Sequence, residues 1–462
     1  MSETRFFQKR RNVAERLVIR GELELTSPAH LGCGRDDEES DQPLITDQDG
    51  QPYLPGTSLA GLLRHQLDRK DAEKLFGPES QSDDELEQSR LLFSDCPVIT
   101  IPATELREGV AINGTTGIAA DKTKYDFELL PVGTKFALKF ELLLPKEVER
   151  ADKLKALTGK LLVRLEEGGV LLGARSQRGF GDCRVTESQE AYWQVERYDF
   201  NDLDGLLAWM GAAQVRSEKL KSGRDWAREV VAEDSHFEVR LRLRVQGGIL
   251  IGSGGHGADE ADKSHLHRQK AGGTLEPVLA GTSLAGVLRH RCEKILNTLH
   301  IPKEEFSVGE LFGSMKERSK VRVWESPIAN GQTLRHSRVR IDPWTGGAAE
   351  TALYTQDVHY GGEVEIRLTL RDGKPAERAL LLLALRDLAE GDLRVGGQSG
   401  AGRGRLAPAV DGDGPFGTID LGPKSIKLMH RSGHVMLEQE NENVLDSDFQ
   451  ALNSLATQGG SK

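Results

Sequence analysis

The chain has 462 residues, 37% hydrophobic and 29% charged, a balance suited to soluble globular domains and a length that suggests about two to four of them. A formal net charge of −11 argues against indiscriminate phosphate binding, because counterion release rewards a basic face; any nucleic-acid site must be a local basic track. The longest apolar stretch, residues 379–385, is far short of the roughly 20 residues that span a bilayer. The basic N-terminus lacks the apolar region of a signal peptide, and four scattered cysteines form neither a zinc motif nor a disulfide framework, so a reduced, cytoplasmic, membrane-free protein is expected.

Along the chain, Leu17 to Leu25 alternates apolar and polar residues, which predicts a half-buried strand. Gly56-Thr-Ser-Leu-Ala-Gly-Leu-Leu-Arg-His65 predicts a helix whose Thr57 and Ser58 hydroxyls cap the N-terminus and whose Leu59, Leu62 and Leu63 form the apolar face. Strand-like residues 91–101, a polar stretch with aromatics over 112–131, and an alternating strand at 135–144 follow. A second helix over 149–167 stops at Gly168, as a left-handed C-cap would. A last strand then opens into Gly173-Ala-Arg-Ser-Gln-Arg-Gly-Phe-Gly181.

The same order then returns: a strand over Phe237 to Val245, a helix from Thr282, strands at 321–328, a polar stretch at 339–360, a strand at 363–370, a helix at 376–389 ending at Gly391, and the loop Gly396 to Gly404. The two helix starts, Gly56 to His65 and Gly281 to His290, agree at nine of ten positions at an offset of 225. Repeats at long period govern architecture. We therefore expect an α+β chain of two tandem ferredoxin-like, RRM-like βαββαβ units at 1–232 and 233–410, followed by a C-terminal extension at 411–462.

Each glycine loop carries arginines, Arg175 and Arg178 with Ser176 in the first, Arg403 and Arg405 with Ser399 in the second. Glycines let backbone N–H groups close on a phosphate, and arginines add bidentate charge. The bland alternative is a tight turn or bulge. Neither loop has the GxxxxGK[ST] pattern of a nucleotide hydrolase. Arg64-His65 and Arg289-His290 recur at helical spacing and form a basic helix edge that could face a nucleic acid, with a surface ion-pair role as the bland alternative. His265 and His267, on alternate positions, could be acid/base groups or metal ligands.

The Pro-Gly-Thr-Ser-Leu-Ala-Gly helix start (Pro55 to Gly61), the Leu-Phe-Gly after it, Ile-Asp-X-X-Thr-Gly (Ile341 to Gly346) and the terminal Gly-X-Arg-Ser-X-Arg-Gly-Phe-Gly resemble the backbone subunits of the RAMP (repeat-associated mysterious protein) superfamily found in type III CRISPR effector complexes. That resemblance implies two fused subunits that grip the CRISPR RNA, insert thumb-like hairpins between guide and target, and cut the paired target RNA at acidic loops in antiviral defence. It places catalytic carboxylates at Asp41 and Asp262, with Asp36, Asp37, Asp259 and Glu260 in reserve, and a Mg²⁺ or Mn²⁺ ion held there. RNA contacts would come from Thr57, Ser58, Arg64, His65, Arg175, Ser176, Arg178, Thr282, Ser283, Arg289, His290, Ser399, Arg403 and Arg405. The thumbs would offer Ile118, Tyr125 and Phe127, and Trp344, Tyr354 and Tyr360, as wedges between bases. Partners would be the CRISPR RNA, complementary target RNA and other effector subunits stacked head to tail. The alternatives are a non-catalytic RNA scaffold and a metal-independent ribonuclease that processes CRISPR RNA.

Overall fold

Period-two alternation makes the first strand of each repeat the centre of a sheet. In the computed structural model, which describes residues 13–34, 40–78, 88–113, 116, 120, 123–188, 190–227, 237–253, 261–270, 272–314, 317–422, 424–438 and 445–459, the chain divides into two compact units. The first holds residues 1–105, 128–174 and 181–232; the second holds 106–127, 175–180 and 233–462.

In the first unit β1 (Glu15–Leu25) lies antiparallel to β4 (Lys135–Leu144), from Glu15 opposite Leu144 to Glu24 opposite Lys135. Its alternating Leu17, Ile19, Leu23 and Leu25 face the core with Phe136, Phe140 and Trp193. β2 (Leu91–Phe93) and β3 (Cys96–Thr100) line the far side of β4. The single strand expected near residues 91–101 is broken at Ser94-Asp95 for a reason: Asp95 Oδ1 accepts the Gly56 N–H at 2.8 Å, at the start of α1 (Gly56–Arg64). The Thr57 and Ser58 hydroxyls make no cap hydrogen bond, contrary to the sequence reading; Pro55 is the N-cap residue. α2 (Val148–Glu167) buries Leu154, Leu157, Leu161, Leu162 and Leu165 at helical spacing and ends at Gly168, whose φ of 76° favours glycine.

On its other side β1 is paired along two stretches. β5 (Asp182–Val185) covers Leu23 to Leu25, and β6 (Trp193–Asp199) covers Glu15 to Arg20. The second unit repeats this plan. β7 (Phe237–Gln246) pairs with the long second strand of a hairpin, β10 (Ala348–Leu370), whose partner is β9 (Ser326–Ile341). β8 (Val321–Val323) also pairs with β10. α3 (Gly281–Thr298) and α4 (Pro375–Ala389) supply the helical layer. β11 (Arg405–Pro408) covers Leu243 to Gln246, and β12 (Gly414–Leu421) covers Phe237 to Leu241.

Residues 411–462, read from the sequence as an extension, thus belong to this unit's sheet and core. β13 (Lys424–Arg431) and β14 (His434–Glu438) continue the sheet. Phe416, Ile419, Ile426 and Leu452 are buried in the same core as β7. α5 (Asp446–Gly459) is fastened to α4 by a bidentate pair in which Arg378 donates to both oxygens of buried Asp448, at 2.7 and 2.6 Å. Removing one member of a buried pair strands the other charge and costs about 3–5 kcal/mol. Asp448→Ala is therefore expected to lower second-unit stability by about that amount, read as a shifted midpoint in urea unfolding; a midpoint unchanged from wild type would show that α5 is not held by this pair.

Candidate functional site

In the first unit, residues on either side of the acidic loop form a narrow ribbon. Gly32 is bridged to Leu44, the Cys33 N–H donates to Pro43 O at 3.3 Å, and the Ile45 N–H donates to Leu31 O at 2.7 Å. Glu128 clamps this ribbon: its carboxylate accepts the Leu44 N–H at 2.9 Å, and its own N–H donates to Gln42 O at 3.1 Å. Its carbonyl takes a hydrogen bond from His30 Nδ1 at 2.8 Å. A carbonyl can only accept, so Nδ1 of His30 carries a proton. The stem of the glycine loop lies directly on this ribbon. Gly173 has a φ of 73°, and a Cβ there would collide with the His30 carbonyl.

Exposed Asp41 stands on the wall of the resulting cavity, about 520 Å³, together with His30, Ser58, Gly173 and Ala174. His30 is the residue that sequence reasoning missed. No signal marked it, because Leu250 holds the corresponding place in the second repeat: a Cβ on Gly396 would meet the Leu250 carbonyl as one on Gly173 meets that of His30.

The second unit carries the same ribbon. Gly252 is bridged to His265, the Ser253 N–H donates to Ser264 O and the Leu266 N–H to Ile251 O. Asp41 and Asp262 each stand three residues before the bridged position, so the structure brings them into one register. Their surroundings differ. Asp262 Oδ2 accepts from Thr355 N at 2.6 Å and Thr355 Oγ1 at 3.0 Å, and these bonds hold its carboxyl below the usual range. The reserve carboxylates Asp36, Asp37, Asp259 and Glu260 lie outside the described residues. Among the described residues no group of three or more His, Cys, Asp and Glu side chains is arranged to hold a metal ion.

His265 is fully buried. Its ring stacks on buried His359 at 5.6 Å, its Nδ1 accepts the Ile251 N–H at 3.2 Å, and His267 Nδ1 is spent on His265 O at 2.7 Å. A surface acid/base role for His265 is thereby corrected: it is a neutral core residue. The matching positions of the first unit are apolar, since Leu44 shares the place of His265 and the Ala29–Leu130 bridge matches the pairing of Ile249 with His359.

The glycine loops share one pattern of left-handed backbone positions. Arg175 and Gln398 have φ of 59° and 58°, and Gly179 and Gly402 have 94° and 89°. The loops thus align at an offset of 223, so Arg178 matches Ala401 and Phe180 matches Arg403. At that offset Arg403 and Arg405 do not stand opposite Arg175 and Arg178. Arg175 lies over Tyr125 and Phe127, 4.6 and 4.2 Å from the ring centres, and donates to the Tyr125 hydroxyl at 2.8 Å. Arg178 donates to Phe312 O at 3.1 Å; burial first, then neighbouring Arg289, pushes its guanidinium below the ordinary range. Ser176 is half-buried and Ser399 exposed. Arg403 is buried, while Arg405 is exposed on β11 and packs beside Gly391.

Of the helix residues, Thr57, Ser58, His65 and Thr282 are exposed and Ser283 is half-buried. Arg64 stands 6.0 Å over Phe76. Arg289 donates to Gly313 O at 3.1 Å, and His290 faces Glu293 at 3.4 Å. Of the wedge residues, Ile118 lies outside the described residues. Phe127 is buried edge-on against Phe180, at 6.0 Å, so packing against the loop, not base stacking, explains it. Trp344 is 93% exposed on the turn between β9 and β10, where Asp342 Oδ1 accepts from Trp344 N and Thr345 N at 2.8 and 2.9 Å. Tyr354 and Tyr360 are half-buried.

The two repeated ribbons lie within the two stretches, residues 22–184 and 242–407, that match the RAMP superfamily profile. The chain belongs to the RAMP superfamily. No curated protein matches it. RAMP membership makes it a CRISPR-associated RNA-binding subunit with RNA and CRISPR-complex partners. No helix of this RAMP protein, among the described residues, is long and apolar enough to cross a membrane.

The buried histidines set a pH dependence. Burial first, then His359 and His267, lowers the His265 pKa from 6.5 to about 3. The unfolded chain therefore binds the proton before the folded one, so the contribution of His265 is complete above pH 6.5 and is lost as pH falls toward 3. The urea midpoint of the second unit is expected to fall over that window, and His265→Leu, which installs the side chain of Leu44, is expected to flatten the fall. An unaltered pH profile in His265→Leu would place the acid sensitivity elsewhere.

Proposed function

We propose that this RAMP protein is a guide-RNA-binding backbone subunit of a type III CRISPR effector complex, made of two tandem ferredoxin-like units, that cuts guide-paired target RNA. The observation that carries this reading is the shared register of Asp41 and Asp262, each on a ribbon pressed against a glycine loop. The strand arrangement supports the ferredoxin-like reading: β1 lies between β5 and β4 with β2 and β3 beyond, which fits a βαββαβ path.

At the first site a target 2′-hydroxyl would attack the adjacent phosphorus in line, forming the 2′-O–P bond as the P–O5′ bond breaks. The Asp41 carboxylate would orient that hydroxyl or serve as one oxygen ligand of a Mg²⁺ or Mn²⁺ ion, which would stabilise charge on the phosphate. His30, fixed by its bond to the Glu128 carbonyl, lines the same cavity. Trp344, at the exposed hairpin turn, suits insertion between stacked bases. A second reading, in which the second unit binds RNA without cutting, is favoured by two observations: Thr355 occupies Oδ2 of Asp262, and Leu250 replaces His30.

Incubation of the guide-loaded assembly with end-labelled target RNA and Mg²⁺ tests both. Asp41→Ala is expected to abolish one product while RNA affinity stays within a few-fold, because a group acting on the transition state does not anchor the ground state. Asp262→Ala is expected to abolish a second product if both ribbons cut. Intact cutting in Asp41→Ala overturns catalysis at Asp41, and intact cutting in Asp262→Ala alone assigns the second unit a binding role.

A further inference from the structure

The substitution of Arg403 for the position of Phe180 changes what lies beneath the second glycine loop. Arg403 is 3% exposed and Gln356 is 0% exposed; Arg403 Nη1 donates to Gln356 Oε1 at 2.9 Å. Gln356 stands directly across the β9–β10 hairpin from His336, and Tyr354 from Arg338. The His336 ring lies 5.4 Å from that of Tyr360. Opposed residues and their i±2 neighbours share a face of the hairpin, so one face carries Gln332, Leu334, His336 and Arg338 opposite Tyr360, Val358, Gln356 and Tyr354. That face has no carboxylate.

Four nitrogens in this cluster are sealed from solvent without a hydrogen-bond partner: Arg403 Nε and Nη2, Gln356 Nε2 and His336 Nε2. Arg403 and Arg338 form no ion pair among the described residues. Burial, and then repulsion from Arg338, pushes the Arg403 guanidinium below its ordinary range. Tyr360 and Tyr354 offset part of this, but a buried cation whose partners are an amide and phenols is costly unless a counter-charge reaches it. Arg338, His336, Tyr354 and Tyr360 are half-buried, which leaves the cluster bordering solvent. The first repeat has no such need: Phe180 and Phe127 pack edge-on at the matching place.

We infer that the second unit holds a dedicated site for one phosphate group, centred on Arg403 with Gln356 and His336 as further donors and Arg338 at the rim. A tetrahedral phosphate oxyanion satisfies donors that converge from several directions and supplies the missing negative charge. The phosphate can be a diester of the RNA, in which case the inference rests on the RNA-binding reading above, or a free anion.

The test uses the full chain. Thermal melting is followed in sodium phosphate and in sodium chloride at matched ionic strength, for wild type, Arg403→Phe and Arg338→Ala; guide-RNA affinity is measured against salt in parallel. Phosphate is expected to raise the wild-type melting temperature saturably beyond chloride, Arg403→Phe to remove that rise, and Arg338→Ala to weaken it. Arg403→Phe is also expected to reduce the slope of log affinity against log salt by about one, which assigns the site to an RNA phosphodiester. Loss of the phosphate effect with an unchanged slope assigns it to a free anion. Should Arg403→Phe not fold, a phosphate effect weakened in Arg338→Ala still supports the site, and one of wild-type size in Arg338→Ala overturns it. Phosphate no more effective than chloride on the wild type overturns the site even if RNA binds; failure of RNA binding with the phosphate effect intact overturns only the RNA reading.

Discussion

Everything at the candidate sites depends on a contact between two stretches of main chain. Gly173 rests on the carbonyl of His30 and Gly396 on that of Leu250, each at a positive φ and each with no room for a Cβ. This approach presses the end of a repeat, the glycine loop, onto its beginning, the ribbon that leads to the acidic loop. Residues some 130 positions apart in the chain, such as Asp41 and Gly173, come to line one cavity because Gly173 lacks a side chain. A backbone contact also explains why the arrangement tolerates change around it. The side chains at His30 and Leu250 differ completely, yet the main-chain geometry is the same.

Much of the scaffold was legible in the residues because the repeat supplied a second reading of every element. The strand at Lys135–Leu144 was placed by alternation alone, and the helices by apolar spacing with a glycine stop. The parts that were not legible are those where a distant side chain decides. Nothing local shows that Asp95 would cap α1 in place of Thr57 and Ser58, or that Glu128 would clamp the ribbon carrying Asp41. The two glycine loops align at an offset of 223, and there their arginines fall at different positions, Arg175 opposite Gln398 and Arg403 opposite Phe180. Phe127 looked like a wedge because aromatics serve both core and ligand, and only its packing against Phe180 separates the two.

The two repeats differ at several deeply packed positions. Leu44 and Leu130 in the first unit correspond to His265 and His359 in the second, and Phe127 and Phe180 to Gln356 and Arg403. Burying polar groups costs stability unless each finds a partner, so their presence in one copy alone points to separate demands on two units with the same backbone plan. The ribbon with the apolar floor keeps a histidine in its cavity and an exposed aspartate; the one with the polar floor ties its aspartate to Thr355.

The second compact unit contains residues 106–127 and 175–180, which belong in sequence to the first repeat. Arg107 from that stretch pairs with buried Glu325, and Arg178 caps the Phe312 carbonyl. A gene cut at the repeat boundary would therefore not yield two self-sufficient proteins, since the downstream product would lack part of its own interior. Covalent fusion removes that difficulty by holding the donated segments at a high effective concentration and by fixing their stoichiometry at one donor per acceptor.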